Sequence, residues 1–333
     1  MNRIRPARLF RLARVSALLA TAASLLVSAG ISHAQAWPGK QPVKLVAVFP
    51  PGGSVDQVAR ILAQPLQAQL GQTVIVENKG GASGSIGAAA VAQAPADGYT
   101  FAVVFDSHAV NPALIPNLPF DTRKDLAAVS LIGTAAMTIA TPANSEYKTF
   151  ADVATTLKAG KPVNYGTIGN GSLGHLAMTL LGKQNNLNWQ HVPYKGGGPM
   201  MQDAVGGHVP LVIGSVFVVK PHVDSGRVRA LAVTTAKRSP ELPSVPALAE
   251  IGYGQFEAPA WWAVLAPAKT PPEIIARMSA EISKALQNPD TAKKLEAQGI
   301  NLIGGTPETA RVFIEKQIDI WGKVVKDYSI KAD

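Results

Sequence analysis

Apolar positions in the first third of the chain follow two alternating periods. Residues 43–49 form a mostly apolar run typical of a buried strand, and a Pro-Pro-Gly-Gly turn follows at 50–53. From Ser54 to Leu70 the apolar residues recur at helical spacing, and Ser54 with Gln57 predicts a capping box. The pattern continues with a strand at 73–77, an alanine-rich helix through Ala94 and a strand at 99–105. This alternation of strands and helices predicts a parallel sheet.

A second run of the same alternation begins near Thr149. Its predicted helices are 150–159 and 173–184, and its predicted strands are 163–167, 190–193, 209–213 and 229–234. Residues 126–139 fit a helix or a strand equally well. After Pro271 the pattern predicts two amphipathic helices, the second with Val312, Ile318, Trp321 and Val325 on its apolar face.

The order of these elements predicts two α/β lobes. Because the C-terminal helices have no new strands to cover, we expect them to pack on the first lobe. The predicted division is 37–138 for the first part of lobe 1, 139–258 for lobe 2 and 259–333 for the return to lobe 1. A chain that crosses twice between its lobes forms a cleft with a hinge. The length of 333 residues, about twice that of a usual domain, agrees with this division.

Residues 1–36 have the composition of a secretory signal peptide. Five arginines precede the apolar run 15–30, and two overlapping small-x-Ala cleavage patterns end at Ala34 and Ala36. A membrane anchor is the alternative, but the run is shorter than the ~20 residues that a spanning helix needs. The sequence therefore predicts export to the periplasm and removal of residues 1–36.

Charge and cysteine content exclude several classes of function. The formal net charge is +9, but residues 1–36 carry five arginines and no acid, so 26 Lys and Arg face 22 Asp and Glu in the remainder, a net +4. The remaining cations are scattered without interleaved aromatics, which argues against a nucleic-acid partner. The chain has no cysteine, which excludes disulfides and thiolate metal sites.

Four glycine-rich turns, at 50–54, 80–87, 166–174 and 196–203, each precede a predicted helix. Backbone N–H groups at the start of a helix lack intrahelical partners, and together they attract anions. Several such turns at one edge of a sheet predict a site for a small anion. Each turn alone is also explained by ordinary strand-to-helix geometry.

The third turn matches the spacing of a dinucleotide-binding fingerprint from Gly169 to Gly174. We disfavour this cofactor because no acid for the ribose lies between His175 and Gln202. A nucleophile-elbow motif, a phosphate-binding P-loop and a His-Glu-x-x-His zinc motif are all absent from the sequence. We therefore predict a protein that is not an enzyme and that uses neither a cofactor nor a metal.

Taken together, these segments resemble the periplasmic solute-binding proteins of tripartite tricarboxylate transporters, the Bug family. The resemblance covers the whole predicted mature chain. The segments that carry it are Trp37-Pro38 and residues 49–60, 76–84, 96–100, 165–176, 191–196, 229–234, 242–246 and 266–271.

The resemblance implies a two-domain periplasmic-binding-protein clamshell of a type II-like kind, each lobe a mixed, mostly parallel sheet flanked by helices. It implies a monomer that delivers a small organic carboxylate to a membrane permease, holding the ligand through glycine-rich loops and bridging waters. The ligand class spans dicarboxylates, tricarboxylates, acidic amino acids and aromatic or heteroaromatic acids. Two alternatives are a periplasmic sensor that signals to a membrane kinase and, less favoured, a hydrolase or lyase acting on a carboxylate.

The resemblance also carries over the ligand-binding positions. They are Gly52, Gly53, Ser54 and Asp56 in the first loop, Ala82 and Ser83 in the second, Thr167, Gly169, Gly171, Ser172 and His175 in the third, and Gly197 and Asp203 in the fourth.

One further candidate is Asp106, with its neighbour Ser107, at the end of the third predicted strand. The family usually has a small or hydroxyl residue at position 106. A carboxylate there repels an anionic ligand unless the ligand also carries a cation or the acid is paired. The hypothesis is that Asp106 receives the amino or ring-nitrogen group of a zwitterion.

Overall fold

The structure, a computed structural model, describes residues 37–254 and 257–331, so the predicted signal peptide lies outside the described residues. Residues 37–40 form a turn that belongs to a separate unit, and the chain from Gln41 onward is one compact unit. Its strands are β1 (Val43–Ala47), β2 (Val74–Asn78), β3 (Thr100–Phe105), β4 (Leu126–Ala135), β5 (Met137–Pro142), β6 (Asn164–Thr167), β7 (Gln190–Pro193), β8 (Leu211–Ser215), β9 (Val228–Val233), β10 (Ala260–Pro267) and β11 (Asn301–Gly304).

The α-helices lie between and after these strands. They are α1 (Ser54–Leu70), α2 (Ser85–Ala92), α3 (Ser107–Leu114), α4 (Phe150–Lys158), α5 (Leu173–Asn185), α6 (Gly197–Gly206), α7 (Val216–Asp224), α8 (Pro272–Gln287), α9 (Pro289–Glu296) and α10 (Pro307–Asp327). Two short 3₁₀ helices add to them, at Ala82–Gly84 and Leu248–Ile251.

Within the described residues the strands form two sheets, which define the two lobes. The sheet of lobe 1 has the order β11-β4-β10-β3-β1-β2, and the sheet of lobe 2 has the order β7-β6-β8-β5-β9. Helices α1, α8 and α10 pack on strands of the first sheet, and helices α6 and α7 pack on strands of the second. The predicted fold class, two α/β lobes with mixed sheets and flanking helices, is confirmed.

Parallel pairing is less extensive than predicted. In lobe 1, β1 pairs in parallel with β2 and β3, but β10 lies antiparallel between β3 and β4. In lobe 2, β6 pairs in parallel with β7 and β8, whereas β5 lies antiparallel to β8 and β9. The reason is the path of the chain: β4 leads out to lobe 2 and β10 returns from it, so the two strands run in opposite directions.

Two crossings join the lobes and are hydrogen-bonded to each other. The first is short, because β4 ends at Ala135 and β5 begins at Met137. The second follows β9, where Thr234 N donates to Met137 O at 3.0 Å and Ala258 N donates to Thr234 O at 3.0 Å. The Thr234 hydroxyl also donates to Ala258 O at 2.9 Å. The two crossings therefore form one hydrogen-bonded connection.

Two consecutive tryptophans of β10 anchor opposite faces of the first sheet. Both are fully buried, because neighbouring strand residues point to opposite sides. The Trp261 ring packs against Phe313 of α10, with 5.7 Å between ring centroids. The Trp262 ring lies 5.1 Å from that of Phe105 and 5.9 Å from that of Phe217. Trp262 therefore connects the first sheet to α7 of lobe 2.

Three details of the sequence interpretation are wrong. A strand, β11, lies between the C-terminal helices and adds an edge to the first sheet, although no further strand was expected there. Val312 is 51% exposed and does not belong to the apolar face of α10. The capping box at Ser54 does not form: the N-cap is Gly53, and Ser54 Oγ accepts a hydrogen bond from Trp262 Nε1 at 3.3 Å instead.

The close packing of β11 on β4 predicts that Gly133→Ala is destabilising. A Cβ on Gly133 would lie 2.4 Å from the carbonyl oxygen of Asn301 and 2.6 Å from Ile300 Cγ2. We expect the free energy of unfolding to fall by about 1–3 kcal/mol, because the strand must move to make room. Chemical denaturation measures this change.

A matched control is Gly322→Ala in α10, where a Cβ has no atom within 4 Å. Alanine restricts the unfolded chain and favours the helix, so we expect this variant to gain about 0.4–1 kcal/mol. Equal stability of the two variants would contradict the pairing of β11 with β4.

Candidate functional site

The first glycine-rich loop ends at the start of α1 and is held by Asp56. Gly52 has a φ of +83°, a conformation that favours glycine. Its N–H donates to Asp56 Oδ2 at 3.0 Å. Asp56 Oδ1 accepts hydrogen bonds from Arg60 Nε and Asn78 Nδ2, both at 2.9 Å. Asp56, which is 4% exposed, is therefore a brace for the loop.

The partners of Asp56 also set its pKa. Burial alone raises the pKa of this carboxyl, but the hydrogen bonds from Arg60, Gly52 and Asn78 outweigh burial and hold it below its ordinary value of 3.8. Asp56 is thus ionised at neutral pH, and its charge contributes to the shape of the first loop.

The second loop contains two non-glycine residues in the left-handed region of the backbone. Ala82 and Ser83 have φ values of +46° and +50°. Such a conformation costs about 1–3 kcal/mol per residue and persists only where surrounding contacts enforce it. Here the Ser83 carbonyl accepts hydrogen bonds from Ser107 Oγ at 2.8 Å and Asn111 Nδ2 at 3.2 Å. The Ser83 hydroxyl donates to the carbonyl of Asn170, in the other lobe.

The third loop is organised around the buried hydroxyl of Thr167. Thr167 Oγ1 accepts the N–H of Gly169 at 3.2 Å and lies 3.0 Å from the Gly169 carbonyl. It also lies 2.7 Å from His191 Nε2. Thr167 is fully buried, so its hydroxyl holds the loop backbone from the interior side.

Ser172 and His175 complete the third loop at the start of α5. Ser172 is the N-cap, and its hydroxyl accepts the N–H of His175 at 3.3 Å. His175 Nδ1 accepts the N–H of Gly171, also at 3.3 Å. The His175 ring stacks on that of His191, with 4.0 Å between centroids. His175 lines a cavity of about 770 Å³ that Tyr165 and Trp189 line from lobe 2 and residues 329–331 line from the C-terminal segment.

The fourth loop precedes α6, and Asp203 is engaged within its own lobe. The Tyr194 hydroxyl donates to Asp203 Oδ2 at 2.8 Å. Burial, together with this hydrogen bond, raises the pKa of Tyr194 to about 12. Gly196 has a φ of +123°, and α6 begins at Gly197.

Three of the glycine-rich turns, together with residues 193–195 just before the fourth, line one groove between the lobes, with a volume of about 690 Å³. Lys195 places a cation on its wall. The loops approach closely: a Cβ on Gly169 would lie 3.3 Å from Ser83 Oγ, and one on Gly53 would lie 3.9 Å from Gly197 N. The lining residues are 49–51, 78, 80–83, 168–170 and 193–195.

A smaller cavity of about 20 Å³, the seam cavity, lies deeper between the lobes. Gly53, Ser54 and Phe105 line it from lobe 1, and Gly197 and Ser215 line it from lobe 2. Its volume is close to that of a single water molecule.

Asp106 lies directly after β3 and is fully buried. Among the described residues, neither of its carboxyl oxygens accepts a hydrogen bond of good geometry, although the N–H groups of Ser107 and Leu173 are near enough to act on the carboxyl. Burial raises the pKa of Asp106 well above its ordinary value, and the N–H groups of Ser107 and Leu173 oppose this only in part. Leu173 belongs to α5 of lobe 2, so Asp106 lies where the two lobes meet.

The predicted site residues thus divide by location. Ala82, Ser83 and Gly169 line the groove, and Gly53, Ser54 and Gly197 line the seam cavity. His175 lines the separate cavity between lobe 2 and the C-terminal segment. The others line none of these cavities: Gly52, Asp56, Asp106, Ser107, Thr167, Gly171, Ser172 and Asp203.

Sequence reasoning missed several groove residues, among them Asn78, Asn170, Tyr194 and Lys195. Tyr194 and Lys195 directly precede the fourth glycine run, so their position in the sequence was a usable signal. Asn78 shortly before the second glycine run and Asn170 within the third had the same positional signal.

Two features of the described part of the chain bear on a membrane-spanning or metal-binding function. Over residues 37–254 and 257–331, none of the helices combines the length and apolarity needed to cross a bilayer. In the same ranges no group of three or more His, Asp or Glu side chains is arranged to hold a metal ion.

The bracing role of Asp56 predicts that Asp56→Asn lowers the free energy of unfolding by about 1–3 kcal/mol at pH 7, because the amide cannot accept from all three donors. Because the folded-state pKa is depressed, this contribution is present above pH 3.8 and is lost as the pH falls through the lowered pKa. Thermal unfolding of both proteins between pH 7 and pH 2.5 measures the difference.

Asp319→Asn is the matched control, since that carboxylate is 73% exposed and pairs with Arg123 at the surface. We expect it to change stability by less than about 0.5 kcal/mol. If Asp56→Asn behaves like this control at pH 7, Asp56 does not brace the loop.

Comparison with known proteins supports the resemblance. The family model described as "Tripartite tricarboxylate transporter family receptor" matches residues 58–330. The chain is also similar to protein BugT of Bordetella pertussis (strain Tohama I), with 36% identity over 321 residues that cover 94% of this chain and 98% of BugT.

Solved structures are similar over almost their whole length. The periplasmic binding protein BugD has a TM-score of 0.84 at 30% identity, covering 88% of this chain and 99% of BugD. Rpa4515 of R. palustris, solved with adipate, has a TM-score of 0.84 at 34% identity, covering 89% of this chain and 99% of its own. MatC of Rhodopseudomonas palustris, solved with bound malate, has a TM-score of 0.82 at 28% identity, covering 86% and 99%.

These matches agree with two α/β lobes whose glycine-rich loops meet at a groove. This chain belongs to the tripartite tricarboxylate transporter receptor family, the Bug solute-binding proteins.

Proposed function

We propose that this protein captures a small organic carboxylate between its two lobes and delivers it to a membrane permease of the tripartite tricarboxylate type. The observation that carries the proposal is the convergence on one groove of three glycine-rich turns and of residues 193–195, which lead into the fourth. Loops 1 and 2 come from lobe 1, and loops 3 and 4 come from lobe 2. A ligand held by both pairs binds the closed form more tightly than the open form and therefore favours closure.

The chemistry of the loops suits a carboxylate. Helix α1 begins at Ser54, α5 at Leu173 and α6 at Gly197, each directly after one of these loops. The starts of helices present N–H donors and a positive dipole end. Lys195 adds a full positive charge on the groove wall. Ordered water can bridge such donors to a carboxylate that does not touch them directly.

The relatives support the same ligand class. Rpa4515 was solved with adipate and MatC with malate, both dicarboxylates. In our proposal this chain takes a ligand of the same chemical class, in the periplasm, without turnover. The transporter description of the family favours delivery to a permease over signalling to a sensor kinase.

A thermal-shift panel of carboxylates tests the proposal. The panel contains dicarboxylates, tricarboxylates, acidic amino acids and aromatic acids at millimolar concentration, with the matching esters as uncharged controls. A ligand at ~100 times its dissociation constant adds roughly 2.7 kcal/mol to the stability of the folded state, which raises the melting temperature by several degrees. We expect a selective rise with one or a few acids and none with the esters.

A flat response across the panel contradicts carboxylate binding. Mass spectrometry of the acid recovered after incubation separates binding from catalysis. The proposal requires the recovered acid to be chemically unchanged, whereas a hydrolase or lyase would convert it. Loss of uptake on gene deletion, without loss of a transcriptional response to the acid, separates delivery to a permease from sensing.

The hydrogen bond from Ser83 to Asn170 predicts a second result. It joins the lobes, so Ser83→Ala disfavours the closed form, and we expect the dissociation constant of the acid to rise about fivefold. Isothermal titration calorimetry measures this dissociation constant.

Ser225→Ala is the control, since the Ser225 hydroxyl donates within lobe 2 to Pro221 O at 2.9 Å. Equal affinities of the two variants would show that this hydrogen bond has no part in closure.

A further inference from the structure

Asp106 and Asp56 are both buried acids of lobe 1, yet they have opposite surroundings. Asp56 accepts hydrogen bonds from three groups, including the cation of Arg60. Asp106 is 0% exposed, and among the described residues both its carboxyl oxygens lack a hydrogen-bond partner. No Lys or Arg of the described residues forms an ion pair with it. The N–H groups of Ser107 and Leu173 offset the burial of this carboxyl only in part, so Asp106 remains a destabilising group for the fold.

A second acceptor oxygen lies close by in the same layer. Asn111, one turn further along α3, donates through Nδ2 to Ser83 O, and Ser107 donates to the same oxygen. This fixes the orientation of the Asn111 amide, and its Oδ1 is buried without a partner among the described residues. Asp106 and Asn111 therefore contribute three buried acceptor oxygens that the described part of the protein does not satisfy.

These acceptors lie beside the groove and not in the interior of one lobe. Phe105, the residue before Asp106, lines the seam cavity, and Ser83, the partner of Ser107, lines the groove. The N–H of Leu173, which acts on the Asp106 carboxyl, belongs to lobe 2. Opening of the lobes, which the proposed capture of a ligand requires, would take Leu173 away from Asp106 and expose the carboxyl to the ligand.

We propose that Asp106, with Asn111 Oδ1, accepts the N–H donors of a protonated nitrogen on the ligand, so that the protein selects zwitterionic acids over acids without nitrogen. This inference rests on the proposed function, because it assigns the carboxylate end of the ligand to the glycine-rich loops. An ammonium group supplies three donors, which matches the three unsatisfied acceptors. Pairing with a cation also removes the repulsion that a buried carboxylate exerts on an anionic ligand.

The test compares acids that differ only by the nitrogen. The pairs are aspartate with succinate, glutamate with glutarate, and β-alanine with propionate, each titrated into the full mature protein by calorimetry at pH 7. A hydrogen bond to a charged group contributes about 1.5–3 kcal/mol. We therefore expect the nitrogen-bearing acid of the preferred pair to bind about 10- to 150-fold more tightly.

Two variants assign that preference to Asp106. Asp106→Asn keeps the size of the side chain but removes the charge, and Asp106→Ser leaves a small neutral hydroxyl. We expect both to lose the preference, with the nitrogen-free acid binding at least as well as its partner. Asp319→Asn, which removes a surface carboxylate, is expected to keep the wild-type preference.

The stability of the ligand-free variants separates a ligand contact from a structural role. Removal of an unpaired buried carboxyl is expected to leave the melting temperature unchanged or raise it. A clear fall in the melting temperature of both Asp106 variants would assign the carboxyl to the fold and overturn the inference.

The remaining outcomes are distinguishable. If the wild-type protein binds acids but prefers none with nitrogen, the inference is wrong and the proposed function stands. If a preference for zwitterions persists in Asp106→Ser, another group receives the nitrogen. If no acid of the panel binds to folded wild-type protein, the proposed function fails, and the inference fails with it.

Discussion

The contact between the lobes at Ser83 is the interaction on which the arrangement of the site depends. The backbone of Ser83 is in the left-handed region, and two side chains of α3 hold its carbonyl. This conformation directs the hydroxyl toward Asn170 of lobe 2, where it forms a hydrogen bond across the groove. The strained turn thus places a polar contact between the two lobes.

The connection between the lobes and the groove lie in different parts of the same interface. The two crossings are joined through Thr234, so they form one connection between the lobes and not two independent linkers. Trp262 packs against Phe105 and also against Phe217 of the other lobe, which makes the region near this connection apolar. The polar contacts lie in the loops farther along the interface. An apolar base with a polar rim allows opening of the rim without loss of the packed base.

The two buried acids of lobe 1 show how the same residue type serves different ends. Asp56 is satisfied by Arg60, Asn78 and the N–H of Gly52, so it stabilises the first loop. Asp106 has no such donors among the described residues, and burial raises its pKa. Unsatisfied buried groups are uncommon in folded proteins, and they concentrate at functional sites.

Local patterns along the chain determined the elements and the order of the lobes. Apolar runs followed by glycine turns and helical stripes were enough to predict β1, α1, β3 and α5, because these signals depend on neighbours within one element. The edge strand β11 was missed since four residues between two helices carry too short a pattern. The capping box at Ser54 was predicted wrongly because Trp262, 208 residues away, takes its hydroxyl.

The tertiary structure alone decided what each polar residue of the loops does. The sequence placed Asp56, His175 and Asp203 together in a list of ligand-binding positions, but folding gives each a different partner: Arg60, His191 and Tyr194. It equally placed Asp106 at the end of a strand without showing that its carboxyl is buried without a partner. Helices and strands follow from the periodicity of the chain, whereas hydrogen-bond partners are set by residues that are distant in sequence and meet only in the folded protein.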